Sequence, residues 1–72
     1  MSALADVRDM TCAQALAVVA KAMAQLADGA VLSVSANAED VKRDVLAWAR
    51  ERGHRVGQEA PDTLTLQRGR SS

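Results

Sequence analysis

Cys12 is the only cysteine of this 72-residue chain and its best candidate for covalent chemistry. It stands in the segment DVRDMTCAQALAVVAKAM, where a polar, turn-like stretch meets an alanine-rich run. A thiol in the first turn of a helix faces unpaired N–H groups and the positive end of the helix dipole, and both favour the thiolate. The position therefore predicts a nucleophile, whereas the alternative role is that of a small, packed apolar side chain.

Other catalytic patterns are missing from the sequence. It has no GxSxG, HExxH or GxxxxGK segment, and the single histidine, His54, has no partner at the spacing of metal ligands. His54 follows Gly53, which is typical of a turn after a helix, so we expect a structural role for it. We therefore expect neither a metal nor a cofactor.

Composition restricts the classes of partner and compartment. Nine basic and nine acidic residues cancel, so no overall charge attracts nucleic acid or a membrane surface. Trp48 is the only aromatic residue, which disfavours RNA binding on an open sheet and predicts an aliphatic core with Trp48 in it. The lone cysteine, the missing leader pattern and the missing apolar run of membrane-span length predict a cytoplasmic protein.

Two helices are predicted from apolar spacing. Leu16, Val19, Met23 and Leu26 define one face of a helix over residues 13–27, with Thr11 as N-cap and Asp28-Gly29 as its end. A second helix carries Val41, Val45 and Trp48 on one face and ends before Gly53. Asn37 and Asp40 predict a capping box at its start, and its many charges predict a solvated outer face.

Four short strands complete the predicted fold. Residues 3–8 and 30–35 read as strands, and residues 55–59 and 63–67 as a hairpin with its turn at residues 60–62. Right-handed crossovers then place both helices on one face of the sheet. The prediction is a two-layer α/β sandwich, β-α-β-α-β-β, with a four-stranded mixed sheet. We expect a single domain over residues 1–72, ordered from about residue 3 to 68, with a frayed end over residues 68–72.

Several of these segments together resemble the TusA family, also called SirA-like proteins. That family has a segment like L-D-x-x-G-L-x-C-P-x-P, a helix containing lysine, a G-E-V-L-x-V strand, and D-I-x-x-W before a G-H pair. The matching residues are Asp6, Cys12, Lys21, Gly29, Val31, Leu32, Val34, Asp44, Val45, Trp48, Gly53 and His54.

The resemblance implies the same β-α-β-α-β-β fold and a role as a sulfur carrier. Cys12 would accept persulfide sulfur from a cysteine desulfurase or another donor and relay it to an acceptor protein. Thiolation of tRNA, molybdenum-cofactor supply and sulfur oxidation are destinations known for the family.

The chain departs from the family motif around the cysteine. The C-P-x-P element is the degenerate CAQA, Cys12 to Ala15, and Asp9 replaces the glycine before it. These departures motivate a second hypothesis, a TusA-like binding or regulatory module that has lost transfer activity.

Overall fold

The computed structural model of the chain describes residues 2–69. Its elements follow one another as β1 (Ser2–Asp6), α1 (Cys12–Ala24), β2 (Val31–Ser35), α2 (Glu39–Glu51), β3 (Arg55–Ala60) and β4 (Thr63–Gln67). This order confirms the predicted β-α-β-α-β-β succession of helices and strands.

The four strands form one mixed sheet in the order β1-β2-β4-β3. β1 is parallel to β2, while β4 is antiparallel to both of its neighbours, β2 and β3. β2 and β3 therefore run in the same direction. Parallel strands need a crossover connection, so the chain crosses over the sheet between β1 and β2 and again between β2 and β3. α1 and α2 are these two crossover connections, so the helices run in the same direction as each other.

Both helices cover one face of the sheet, as predicted. Buried side chains alternate along β2 and β4, and they pack with one face of each helix into a single core cluster. The core is aliphatic, as expected, with Ala, Val, Leu and Met side chains. Its buried members are Ala5, Val7, Ala15, Val19, Met23, Leu32, Val34, Ala36, Val41, Val45, Ala49, Leu64 and Leu66.

α1 ends three residues earlier than the predicted limit at residue 27. The Arg68 side chain explains this end, because its Nη1 donates to the carbonyl oxygens of Met23 at 2.9 Å and Ala24 at 3.1 Å, and also to that of Leu26. A guanidinium thus satisfies carbonyl groups that would otherwise accept from the next helical turn. Gly29, with a φ of 84°, then supplies the left-handed turn that was expected there.

The capping box predicted at the start of α2 is wrong. The N-cap is Ala38, which has no side-chain cap, and α2 begins at Glu39. Asn37 instead reaches across to the loop after β1, where its Nδ2 donates to Asp9 Oδ1 at 3.0 Å. Glu39 and Asp40 lie in the first turn of α2, where negative charge compensates the helix dipole without a cap.

The edge strand β3 departs from the regular hairpin that was predicted. In β3, Gly57 and Gln58 lie opposite the single residue Thr65, which makes a β-bulge.

Fraying was expected from residue 68, but Arg68 N–H donates to Ala30 O at 2.9 Å and Gly69 N–H to His54 Nδ1 at 3.1 Å. The expectation is therefore wrong for Arg68 and Gly69, and residues 70–72 lie outside the described residues.

Truncating Leu32 tests the core, and truncating Leu4 is a matched control. Leu32 is fully buried in β2, whereas Leu4, in the neighbouring β1, is 84% exposed. We expect Leu32→Ala to lower the free energy of unfolding by about 2–5 kcal/mol and Leu4→Ala to change it by less than about 0.5 kcal/mol. Urea denaturation of both variants measures the difference. Equal losses for the two variants would contradict the assignment of the core face.

Candidate functional site

Cys12 is the first residue of α1 and follows the loop that leaves the carboxyl end of β1. Its thiol is free and partly exposed, and the remainder of the side chain packs against the core cluster. The loop before it is held to the sheet, because Val7 N–H donates to Ser35 O at 2.8 Å. The structure therefore presents Cys12 at a fixed position on the surface, in the first helical turn as predicted.

A capping box fixes the start of this helix. Thr11 is the N-cap, and its Oγ1 accepts from Gln14 N–H at 3.2 Å while Gln14 Oε1 accepts from Thr11 N–H at 3.1 Å. Ala15 N–H donates to Thr11 O at 2.9 Å and closes the first turn. The backbone N–H groups of Thr11 and Gln14, which flank Cys12 in the sequence, are thus both hydrogen-bonded. The predicted N-cap is confirmed, and the structure adds its reciprocal partner, Gln14.

Asp9 adopts a backbone conformation that usually belongs to glycine. Its φ is 64°, in the left-handed region that Asp and Asn tolerate better than other residues with a side chain. Asn37 supports it twice, because Asn37 Oδ1 accepts from Asp9 N–H at 3.2 Å and Asn37 Nδ2 donates to Asp9 Oδ1. This pair joins the loop before Cys12 to the segment before α2.

Two carboxylates of α2 determine the electrostatics of the thiol. The nearby Asp44 carboxylate is the main reason why the pKa of Cys12 is raised, and partial burial and the negative charge of Asp40 act in the same direction. The helix N-terminus alone would lower this pKa. The pKa of Cys12 is therefore shifted in the direction opposite to the lowering expected from its place at a helix start.

Arg8 and Asp6 form an ion pair at the start of the same loop. Arg8 Nη2 lies 3.0 Å from Asp6 Oδ2, and both side chains are largely exposed. Hydrogen bonds from the Arg8 side chain and backbone lower the pKa of Asp6 to about 2. Arg8 is thus engaged with Asp6 at this edge of the loop.

His54 lies at the other end of the helices and is not brought to Cys12. It shares a concave surface with Ala20, Met23 and Ala24 of α1, up to twelve residues beyond Cys12. At 1.5 Å per residue, twelve residues of helix span about 18 Å. Its Nδ1 accepts from Gly69 N–H, and its ring centroid lies 5.4 Å from that of Trp48. The structural role expected for His54 agrees with these contacts.

Residues 2–69 contain neither a candidate metal site nor a membrane-spanning helix. No group of three or more His, Cys, Asp or Glu side chains in this part of the chain could hold a metal ion. Neither described helix has the length and apolar character needed to span a bilayer.

The model of one protein family, described as sulfurtransferase TusA, matches residues 4–66 of the chain. The chain belongs to the TusA sulfurtransferase family. Comparisons with curated proteins and with solved structures find no match. Family membership supports sulfur transfer as the general chemistry, and the matched region contains Cys12, both helices and most of the sheet.

Within a TusA domain, the local structure explains how this chain starts α1 without prolines. Ala13 and Ala15 stand where the motif quoted above has proline, and the Thr11–Gln14 capping box orders the same turn through hydrogen bonds. Ala15 N–H also makes a backbone bond that a proline could not donate. Asp9, which replaces the glycine of the motif, keeps a left-handed conformation with the help of Asn37.

Replacing Asp44 tests the acidic environment of the TusA-like thiol. Asp44→Asn removes the charge and weakens the hydrogen bond that holds the proton on sulfur, so we expect the pKa of Cys12 to fall. The pH profile of Cys12 alkylation by iodoacetamide would then shift to lower pH. Glu51→Gln, at the other end of α2, is the control and should leave the profile unchanged. An unchanged profile in Asp44→Asn would contradict the proposed contact.

Proposed function

We propose that this chain is a TusA-like sulfur carrier that accepts persulfide sulfur on Cys12 and relays it to an acceptor protein. The donor would be a cysteine desulfurase or another protein that carries a persulfide. The observation that carries the proposal is the placement of the only cysteine, partly exposed in a capped first turn, within a sulfurtransferase family domain. A carrier needs a single accessible thiol and no resolving cysteine.

The transfer is an exchange at sulfur and needs no outside oxidant. The Cys12 thiolate attacks the terminal sulfur of the donor persulfide, R–S–SH, and a new S–S bond forms as the donor S–S bond breaks. The donor leaves as its thiolate and takes up the proton that Cys12 released. In the second half, an acceptor nucleophile attacks the terminal sulfur on Cys12, and Cys12 returns to the thiol.

The raised pKa of Cys12 gives this reaction a definite pH dependence. Because the thiolate is the attacking species, Asp44 and Asp40 reduce the reactive fraction at neutral pH. The first transfer is therefore expected to accelerate with increasing pH up to the pKa of Cys12. A thiol with a higher pKa is also the more nucleophilic once ionised, which offsets part of the loss.

The proposal covers the whole chain as one domain. The family match extends over residues 4–66 of the 72, so we propose a single TusA-like domain over residues 1–72. We also propose a cytoplasmic location, because a reducing compartment keeps a lone cysteine from forming disulfides with other molecules.

The second candidate function is a TusA-like binding or regulatory module without transfer activity. The acidic neighbours of Cys12 favour it, since Asp44 and Asp40 raise the pKa of the thiol and so disfavour the thiolate that a nucleophile requires. In that case Cys12 contributes only packing at the start of α1. The two candidates differ in whether sulfur is ever found on Cys12.

Mass spectrometry after incubation with a cysteine desulfurase and L-cysteine separates the two candidates. We expect the intact mass to increase by about 32 Da, one sulfur atom, with the addition mapped to the peptide that contains Cys12. The adduct should disappear on treatment with dithiothreitol.

Cys12→Ser is the control variant, and it should gain no mass while keeping its folded state, because serine is close to cysteine in size. An unmodified Cys12, tested with several donors at pH values up to the pKa of its thiol, would reject the carrier. Partner binding that survives Cys12→Ser would then favour the binding module.

A further inference from the structure

The concave surface that contains His54 lies between the carboxyl-terminal ends of α1 and α2, at the opposite end of the helices from Cys12. Its volume is about 230 Å³. We call it the Trp48 cavity, and it is lined by Ala20, Met23, Ala24, Trp48, Arg52, His54 and Arg68. Nothing in the sulfur-transfer proposal uses these side chains as a binding site.

The lining of the Trp48 cavity combines apolar and basic side chains. Met23, Ala20 and Ala24 of α1 and the indole of Trp48 supply the apolar part. Three basic groups come from Arg52, the C-cap of α2, from His54, the residue before β3, and from Arg68, the residue after β4. Small-molecule sites commonly combine an apolar lining with a few converging polar groups. The division of this lining therefore suits a ligand with an apolar body and a charged end.

The basic groups of the Trp48 cavity lie close enough to act on one another. The pKa of His54 is lowered first by burial and then by the positive charges of Arg68 and Arg52. None of the described residues that line the cavity is acidic. Asp28 lies outside the lining, and its Oδ1 lies 3.8 Å from Arg68 Nε on a half-exposed side chain. Two guanidinium groups close to one imidazole repel each other and the imidazolium, and an anion placed among them would relieve that repulsion.

Hydrogen-bond donors remain for such an anion. His54 Nδ1 accepts from Gly69 N–H, so in the neutral imidazole the proton is assigned to Nε2, which is a donor. The Arg68 Nη1 group is engaged with helix carbonyls, which also neutralises the negative end of the α1 dipole at this place. Arg52 is exposed and lies 6.0 Å above the Trp48 ring, where its guanidinium fork can swing to a ligand.

We propose that the Trp48 cavity binds a small oxyanion that carries an apolar group, held by Arg52 and His54 and packed against Trp48. Carboxylates and phosphate monoesters share this chemistry. The volume of about 230 Å³ is below the roughly 300 Å³ at which pockets for drug-sized molecules begin, so the ligand has few atoms. The site is independent of Cys12 and would exist whether or not the chain carries sulfur.

The single tryptophan and the single histidine make the test direct. Sodium benzoate and phenyl phosphate are titrated separately into the full chain at constant ionic strength set with NaCl. The NMR signals of the Trp48 indole N–H and of the His54 ring are followed. We expect saturable shifts with a dissociation constant on the order of 1 mM for at least one of the two ligands. The ligand that saturates identifies the anion as carboxylate or phosphate.

Arg52→Gln and Arg50→Gln form a matched pair, because both remove one exposed charge from the last turns of α2 but only Arg52 lines the cavity. We expect binding to weaken about tenfold in Arg52→Gln and to stay within about twofold in Arg50→Gln. Shifts that never saturate, equal losses in the two variants, or unchanged binding in Arg52→Gln would each overturn the proposal. Inorganic phosphate that binds as tightly as phenyl phosphate would overturn the role given to Trp48.

Discussion

The parallel pairing of β1 with β2 is the constraint on which the rest of the molecule depends. Parallel neighbours cannot be joined by a tight turn, so the chain must return over one face of the sheet, and α1 makes that return. The insertion of β4 between β2 and β3 imposes a second return through α2 in the same direction. Both helices therefore begin at one end of the sheet, which is the end where Cys12 lies.

This common direction determines which charges meet. Asp40 lies in the first turn of α2, where it compensates the helix dipole, and Asp44 lies one turn later. Both also act on the thiol at the start of α1. At the other end, Arg68 donates to carbonyl groups at the end of α1, and Arg52 is the C-cap of α2. Both arginines line the Trp48 cavity. Cys12 and the basic residues of the Trp48 cavity thus lie at opposite ends of one arrangement of helices.

Much of the fold was predictable from the sequence because local signals and apolar periodicity agreed. The helical spacing of Val41, Val45 and Trp48 predicts one buried helix face. Leu64 and Leu66, which alternate with polar residues, predict one buried strand face. Both faces pack into the same core. Thr11 was predictable as a cap because its hydroxyl acts within its own turn. Gln14 is the signal for its reciprocal partner, since it follows three residues later.

Contacts between distant segments were not predictable in this way. Asn37 could either cap α2 or bind Asp9. Which of the two occurs depends on how segments 28 residues apart in the sequence pack together. The approach of Asp44 to Cys12 and of Arg68 to the end of α1 depends on how elements pack, which periodicity does not encode. The direction of the pKa shift at Cys12 was therefore the part of the site that sequence reasoning missed.

The bulge at Gly57 and Gln58 makes the two borders of the sheet unequal. A strand added by another chain needs a regular row of N–H and C=O groups, and the bulge interrupts that row along β3. β1, at the opposite border, pairs with β2 in unbroken register from Ser2 to Asp6. The row of backbone groups is therefore interrupted at the β3 border but regular at the β1 border, and the last residues of β1 lead into the loop that precedes Cys12.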